Sequence, residues 1–416
     1  MFGIFKGRLV LVRICLVASV LMLVGIGVAT IYAVGHPLGV NSDSDMGKFA
    51  GYFKKQLIFM LLGSIGFILV NLINYRVLGD ISLWLYSVTL VLLASLLVSK
   101  YIYRIPFIPE INGTFRWIQI SVGSYQLPSI QPSEFCKLTY ILALAWYLRY
   151  RSNYRKLKSL VGPFLLTVLP VVLILAEPDL GTVMLLMPVM FVMLFVAGAK
   201  TKHLVMIILV TLMMSPFFWF KMKPYQRQRI SSVFLQSETI RKKTETHQWL
   251  STILAGEERF RANQWINEHG YQMTRSKLAI ASGGLTGNGF RQGFFIRTNR
   301  LPERHNDLIF ASIAHQWGLM GCLGVLGLYA IMVICALEIA ANNTDPFGRL
   351  VVVGIVTMFI IEVFINVSMT LGVMPITGLT LPFVSYGGSS LLVSLIAIGL
   401  LNNIGRCRAF TLAKKE

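Results

Sequence analysis

The chain has 416 residues, 55% of them hydrophobic and only 13% charged, with a formal net charge of +20 and a mean hydropathy of +0.67. A soluble core does not need that much apolar surface, whereas a bundle bathed in lipid does, so a water-soluble protein is excluded. The basic balance does not indicate nucleic acid either, because most Lys and Arg are accounted for by membrane orientation and by one long outer segment.

Apolar stretches near the roughly 20 residues needed to cross a bilayer recur along most of the chain. Ten are placed, at about residues 14–34, 56–74, 81–99, 132–150, 160–177, 179–198, 203–220, 308–336, 350–371 and 384–403. The first exceeds the ~7–15 residue core of a signal peptide and has no small-residue cleavage site, so it is read as a retained helix. The fold class is an all-α membrane protein, a polytopic bundle of about ten transmembrane helices. Residues 1–416 form one transmembrane domain, and 221–307 is a large extracytoplasmic loop between the seventh and eighth helices.

Short-loop charges set the orientation. With the amino terminus inside, one face collects Lys6, Arg8, Arg13, Arg76, Arg149, Arg151, Arg155, Lys156, Lys158, Lys200, Lys202, Arg349, Arg406, Arg408, Lys414 and Lys415. The other holds Lys48, Lys54, Lys55, Lys100, Arg104 and Arg116. Both termini are therefore expected in the cytoplasm. Cys15, Cys136, Cys322, Cys335 and Cys407 are scattered without CxxC or metal spacing and read as small apolar packing residues.

Polar motifs interrupt the apolar runs. Gln131-Pro132-Ser133-Glu134 is a helix start, and Glu134 and Lys137, three apart, share a helical face and can pair. In the turn Glu177-Pro178-Asp179-Leu180-Gly181-Thr182 both carboxylates are expected at the outer surface. Asp179 reads as a helix cap, or with Glu177 as a metal or sugar contact. Residues 221–270 look polar and irregular, with the basic run Arg241-Lys242-Lys243, and suit an insertion or a partner-facing excursion with room for one short surface helix. The glycine-rich run 283–293 is either a flexible external loop or a re-entrant wall of an external cavity; it is not a Walker loop, since no Gly-Lys-Ser/Thr follows. Glu362 and Asn366, four apart, are placed to form a buried polar network. Two prolines and several glycines in 372–390 break the helix, which at membrane depth requires burial in protein or a cavity lining.

Asp307 stands between the long outer segment and the apolar run that begins at Leu308. An acid at that boundary faces the headgroup layer, where lipid-linked substrates keep their reactive ends.

Taken together and in order, Arg116-Trp117-Ile118, Gln131–Glu134 with Lys137, Pro178–Thr182, Gly283–Gly289, Leu301–Asp307 and Leu381–Ser390 resemble the SEDS family of membrane glycosyltransferases, the group of RodA, FtsW and SpoVE. The agreement runs from about residue 14 to 408, and Leu301–His305 looks more like the RodA branch. Departures are Thr114-Phe115 before the Arg-Trp pair, Glu177 where Gln is usual, Asn306 where Thr is usual, Leu308 where Phe is usual, and a longer 230–270 excursion.

The resemblance implies polymerisation of lipid II, the undecaprenyl-pyrophosphate disaccharide-pentapeptide, at the outer face of the cytoplasmic membrane during elongation, beside a class B penicillin-binding transpeptidase and membrane lipids. Joining sugars from a pyrophosphate donor needs a base for the acceptor hydroxyl and positive charge for the leaving group. Asp307 is the candidate base. Arg116, Lys137, Lys277, Arg291 and Arg304 are the pool of outer cations, with Glu134 and His305 as further substrate contacts. No tightly bound cofactor is expected; a divalent Mg or Mn ion could share the role of the cations. The competing classes are a lipid II flippase, with Glu134, Lys137 and Glu362 lining a path, and a non-catalytic scaffold of the elongation or division machinery. The hydropathy pattern shows no inverted repeat of the kind many transporters carry.

Overall fold

The computed structural model describes residues 9–406, apart from 39–43, 112, 120, 123–124, 127–128, 151–156, 223, 258, 268–269 and 299. Cys407 and the basic residues Lys6, Arg8, Arg151, Arg155, Lys156, Arg408, Lys414 and Lys415 lie outside the described residues, as does the side chain of Lys48.

The chain forms α1 (Leu9–Gly35), α2 (Ser44–Leu72), α3 (Tyr75–Asp80), α4 (Ser82–Tyr101), a two-stranded ribbon of β1 (Ser121–Val122) and β2 (Tyr125–Gln126), α5 (Pro132–Leu148), α6 (Val161–Ala176), α7 (Leu180–Val196) and α8 (Thr201–Lys221). The outer segment then contributes α9 (Pro224–Leu235), α10 (Glu238–Thr246), α11 (Gln248–Leu254), α12 (Ala262–Asn267), α13 (Tyr271–Gly283) and α14 (Phe294–Arg297). The last helices are α15 (Ile309–Asn342), α16 (Pro346–Thr370) and α17 (Gly388–Arg406). Eight helices among the described residues are long and apolar enough to cross a membrane, while α5 and α7 have 17 residues each. The protein is a multi-pass, almost wholly helical membrane protein.

Local chemistry sets the helix starts. Pro132 and Pro346 occupy first-turn positions where no backbone N–H is needed, and Asp179 and Asp345 accept from the first-turn N–H groups of Thr182 and Phe347. Within the bundle α17 packs along α2, α1 along α15, and α16 lies among α5, α7 and α15. In contrast, α8 touches little but α7 and leaves Leu212, Met213 and Phe217 exposed, an apolar face suited to a lipid environment.

The outer segment is more ordered than its composition indicates. Residues 224–267 build four short helices around a satellite core of Leu235, Ala255, Phe260 and Trp265. Polar composition hid this, because the segment's few apolar residues are spread over helices too short to show a 3.6-residue period.

The glycine-rich run is not a flexible loop. Helix α15 is broken at Gly318, whose φ of 63° and ψ of −160° are non-helical. The run fills the break: Asn288 and Gly289 N–H donate to the carbonyls of His315 and Gln316, and Leu319 and Met320 N–H donate to those of Gly284 and Leu285. A Cβ on Gly318 would lie 2.5 Å from the Gly287 nitrogen, so only glycine fits. Gly318 sits nine residues into α15, about 14 Å along a helix, so the run re-enters to membrane depth with its backbone satisfied.

Candidate active site

An open cavity of about 370 Å³ lies at the end of the bundle where α5, α7, α15 and α17 begin. Its wall is polar: Asn306 and Asp307 from the turn before α15, Thr377–Thr380 and Tyr386–Ser390 from the α16–α17 connection, Gln131 and Glu134 at the start of α5, and Asp179 and Thr182 at the start of α7. Arg116 and Trp117 enter from the α4–α5 connection, Arg229 from α9 and Phe59 from α2.

Helices α5, α7, α15 and α17 all begin at this cavity, because all four run in the same direction through the bundle. Each brings the partial positive charge of unsatisfied N–H groups, so four helix dipoles favour an anion there. Arg116 adds a guanidinium, held by the carbonyls of Glu177 (2.8 Å) and Pro178 (2.6 Å).

Asp307 is fixed through its backbone. Asn366, on α16, donates from one amide nitrogen to the carbonyls of Asp307 (3.1 Å) and Leu379 (2.7 Å), fastening the turn to the α16–α17 connection. The same two segments are joined by Ser385 Oγ to the Asn306 carbonyl (2.8 Å) and by Tyr386 N–H to the His305 carbonyl (2.8 Å). Gly378, with φ of 83°, lets the connection pass beside the carboxylate, its ideal Cβ only 3.8 Å from Asp307 Oδ2. Burial, and next the charge of Glu303, push the Asp307 carboxyl up to about 7, while Arg229 opposes. A carboxyl poised near neutrality can accept a proton from a hydroxyl and later release it.

Below the cavity Lys137 is buried between two carboxylates, 2.7 Å from Glu134 and 2.6 Å from Glu362. The pairing expected from the spacing of Glu134 and Lys137 is present. The proposed Glu362–Asn366 network is not: Glu362 turns to Lys137 on α5, and Asn366 serves the backbone at Asp307. Helical spacing shows which residues share a face but not which neighbouring helix that face meets.

Asp179 caps α7 and also lines the cavity. Its Oδ2 accepts from Ser133 (3.0 Å), Thr182 (3.0 Å) and Gln131 (3.3 Å), and its Oδ1 from Thr182 N–H (3.3 Å). Glu177 corrects the expectation for the turn: it is buried away from the cavity, and burial with the nearby charge of Asp179 pushes its carboxyl up to about 8. Among the described residues no group of three or more His, Cys, Asp or Glu side chains is placed to hold a metal.

Four of the five expected cations do not line the cavity: Lys137 is committed to Glu134 and Glu362 beneath it, and Lys277, Arg291 and Arg304 are held elsewhere. Lys277 is exposed and donates to Gln236 (3.1 Å). Arg291 donates to the His36 carbonyl (2.5 Å) and lies over the Tyr32 ring, tying the glycine-rich run to the end of α1. Arg304 is buried, donates to the Ile296 carbonyl (2.7 Å), and is drawn down to about 10 by burial. His305 stacks on Tyr52 (4.4 Å between centroids) and does not line the cavity; burial and the charge of Arg304 lower it to about 4, so it is neutral. The wall expected from the glycine-rich run is supplied instead by 377–390. Arg229 was missed in the sequence because it sits in no motif; its only signal is a basic stretch, Arg227-Gln228-Arg229, directly after the seventh apolar run.

The chain matches the FtsW/RodA/SpoVE family of cell cycle proteins over residues 13–409. It is 29% identical to the peptidoglycan glycosyltransferase RodA of Treponema pallidum (94% of this chain, 96% of the relative). It is 33% identical to stage V sporulation protein E of Bacillus subtilis (94% and 96%) and 30% identical to the peptidoglycan glycosyltransferase MrdB of Escherichia coli K12 (87% and 87%). Its fold resembles a chain of a peptidoglycan synthase complex whose structure concerns the coordination of polymerization and crosslinking (TM-score 0.69, 28% identity, 94% of this chain and 96% of that chain). It also resembles the crystal structure of the rod shape determining protein RodA of Thermus thermophilus (TM-score 0.61, 28% identity, 94% and 96%). Residues, fold and relatives agree from end to end: the chain belongs to the FtsW/RodA/SpoVE family.

Proposed function

We propose that the protein is an inverting peptidoglycan glycosyltransferase that polymerises lipid II at the outer face of the cytoplasmic membrane. Asp307 is its general base. The observation that carries this reading is the placement of one near-neutral carboxyl on the wall of a cavity where four helix N-termini and two arginines converge. The carboxylate takes the proton of the acceptor hydroxyl as its oxygen bonds to the anomeric carbon of the donor sugar. The bond from that carbon to pyrophosphate breaks on the opposite face, and the lipid pyrophosphate leaves with the electron pair. Because pyrophosphate leaves without protonation, one carboxyl suffices where a glycosidase needs two. Arg116, Arg229 and the helix N-termini offset the charge that builds on the leaving group. The hydroxyls of Thr377, Thr380, Ser389 and Ser390 suit hydrogen bonding to sugar.

Both termini lie in the cytoplasm in this reading, and a class B transpeptidase is the partner.

The test is glycan polymerisation from labelled lipid II by purified protein in liposomes, with and without the transpeptidase. Wild type yields polymer and Asp307→Asn yields none while keeping a cooperative melting transition at or above the wild-type temperature. Polymer from Asp307→Asn at the wild-type rate removes the base assignment, and lipid II crossing the membrane without polymer would favour transport.

A further inference from the structure

A second cavity, of about 430 Å³, opens at the opposite end of the bundle from the catalytic one. It forms where the short helix α3, the carboxyl end of α5 and the start of α16 meet, and it is lined by Arg76, Trp146, Arg149, Tyr150, Asp345 and Phe347 among others. Nothing in the chemistry of Asp307 uses these residues.

The charges here are unevenly committed. Asp345 is consumed within the protein: it caps α16, accepts from Tyr75 OH at 2.7 Å, and lies 3.6 Å from Arg76 Nε. Asp80 is the other acid on the wall. Arg149, by contrast, forms no ion pair with a described residue; its guanidinium lies over the Trp146 ring and 4.6 Å from the Tyr150 centroid. A guanidinium held by aromatic faces keeps its edge N–H groups available to an anion. Arg76 remains 45% exposed at the side chain despite its contact with Asp345, so a second guanidinium also faces the opening.

The setting selects an amphiphile over a soluble anion. Trp146 and Tyr150 are amphipathic side chains of the kind that settle at a membrane interface, and the residues around Arg76 in sequence present apolar surface: Val77 of α3 is 49% exposed, and Leu72 and Ile73 just before it are 72% and 44% exposed. A ligand with a phosphate head and acyl chains satisfies the arginines and this apolar rim together. Basic pockets between transmembrane helices on the inner side are suited to anionic headgroups.

We infer that this cavity binds the phosphate of an anionic phospholipid of the inner leaflet, between Arg76 and Arg149, with the acyl chains running along α3 and the end of α2. The inference is independent of Asp307 and of the reaction assigned to it.

The test uses delipidated full-length protein titrated with phosphatidylglycerol or phosphatidylcholine and read by native mass spectrometry, with inorganic phosphate as competitor. Wild type is expected to bind phosphatidylglycerol in preference to phosphatidylcholine. Arg76→Gln with Arg149→Gln should weaken phosphatidylglycerol about tenfold or more, as loss of charge-assisted hydrogen bonds does. Arg349→Gln, which removes an exposed charge on the same face outside the cavity, should leave binding unchanged. The same melting temperature and polymerisation rate in the double variant establish that it is folded. Three results overturn the inference: no preference for phosphatidylglycerol, an equal loss in Arg349→Gln, or full competition by inorganic phosphate, which would make the site one for a free anion.

Discussion

Replacing Arg229 with Gln separates its two assigned roles, because Arg229 lies on the cavity wall and holds down the proton affinity of Asp307. With the Asp307 carboxyl at about 7, half of the free enzyme carries an ionised base at pH 7. A cation several Å away across a partly hydrated cavity stabilises that carboxylate by on the order of 1 kcal/mol, a little under one pH unit. In Arg229→Gln the acid limb of kcat/KM therefore moves from about 7 to about 7.7, and the ionised fraction at pH 7 falls from about a half to about a sixth. Activity at pH 7 drops about threefold by this route, and the drop vanishes by about pH 9. A further loss that is constant with pH reports the contact with the leaving group. The assay is the initial rate of polymer formation from sub-saturating lipid II in liposomes across the pH range, with Arg229→Lys as the charge-conserving control. An acid limb that stays in place, or moves to lower pH, refutes the electrostatic coupling of Arg229 to Asp307.

Asp307→Asn should stabilise the protein while abolishing activity. The folded carboxyl is raised to about 7, above the ~3.9 of an unfolded chain, so its favourable contribution is complete below pH 4 and is lost as pH rises through 7. The melting temperature of the Asn variant should then exceed that of wild type by a margin that grows from pH 4 to pH 7 and then levels off. Asn366→Ala removes both hydrogen bonds that fasten Asp307 to the α16–α17 connection. Polymerisation kcat is expected to fall about 100-fold with the helical circular dichroism retained, since misplacing a base by ~1 Å costs that much. Lys137→Met strands Glu134 and Glu362 in the bundle and should destabilise by about 3–5 kcal/mol, visible as a large drop in melting temperature in detergent. Gly283→Ala drives a Cβ to 1.9 Å from the Ala314 carbonyl oxygen and should lower the melting temperature, whereas Gly324→Ala, with open space around it, should not.

Period and composition made the membrane helices legible, because lipid imposes the same length and apolarity on each. The Glu134–Lys137 pair and the Asp179 cap were legible for a similar reason: both are local, set by spacings of three residues. What escaped was long-range. The partner of Glu362 lies 225 residues away, and Asn366 reaches the backbone of Asp307 across 59. Lys277, Arg291 and Arg304 stand near the right motifs in sequence, yet each is drawn to a carbonyl or an amide on another element. Arg229 is the reverse case, delivered to the cavity by α9, in a segment whose composition indicated only an excursion.

The glycine-rich run that closes the break in α15 also bears on how the protein can be engineered. By composition, 283–293 would be a natural place for an epitope tag, a protease site or a split point. It is the worst one, since 284–289 supplies the backbone partners for four groups that the interrupted helix leaves open. Prising it out would uncap two half-helices inside the bilayer, one of which starts immediately after Asp307. Insertions belong instead in a connection of the 221–307 segment that lies on the surface, such as the exposed junction of α10 and α11 at His247.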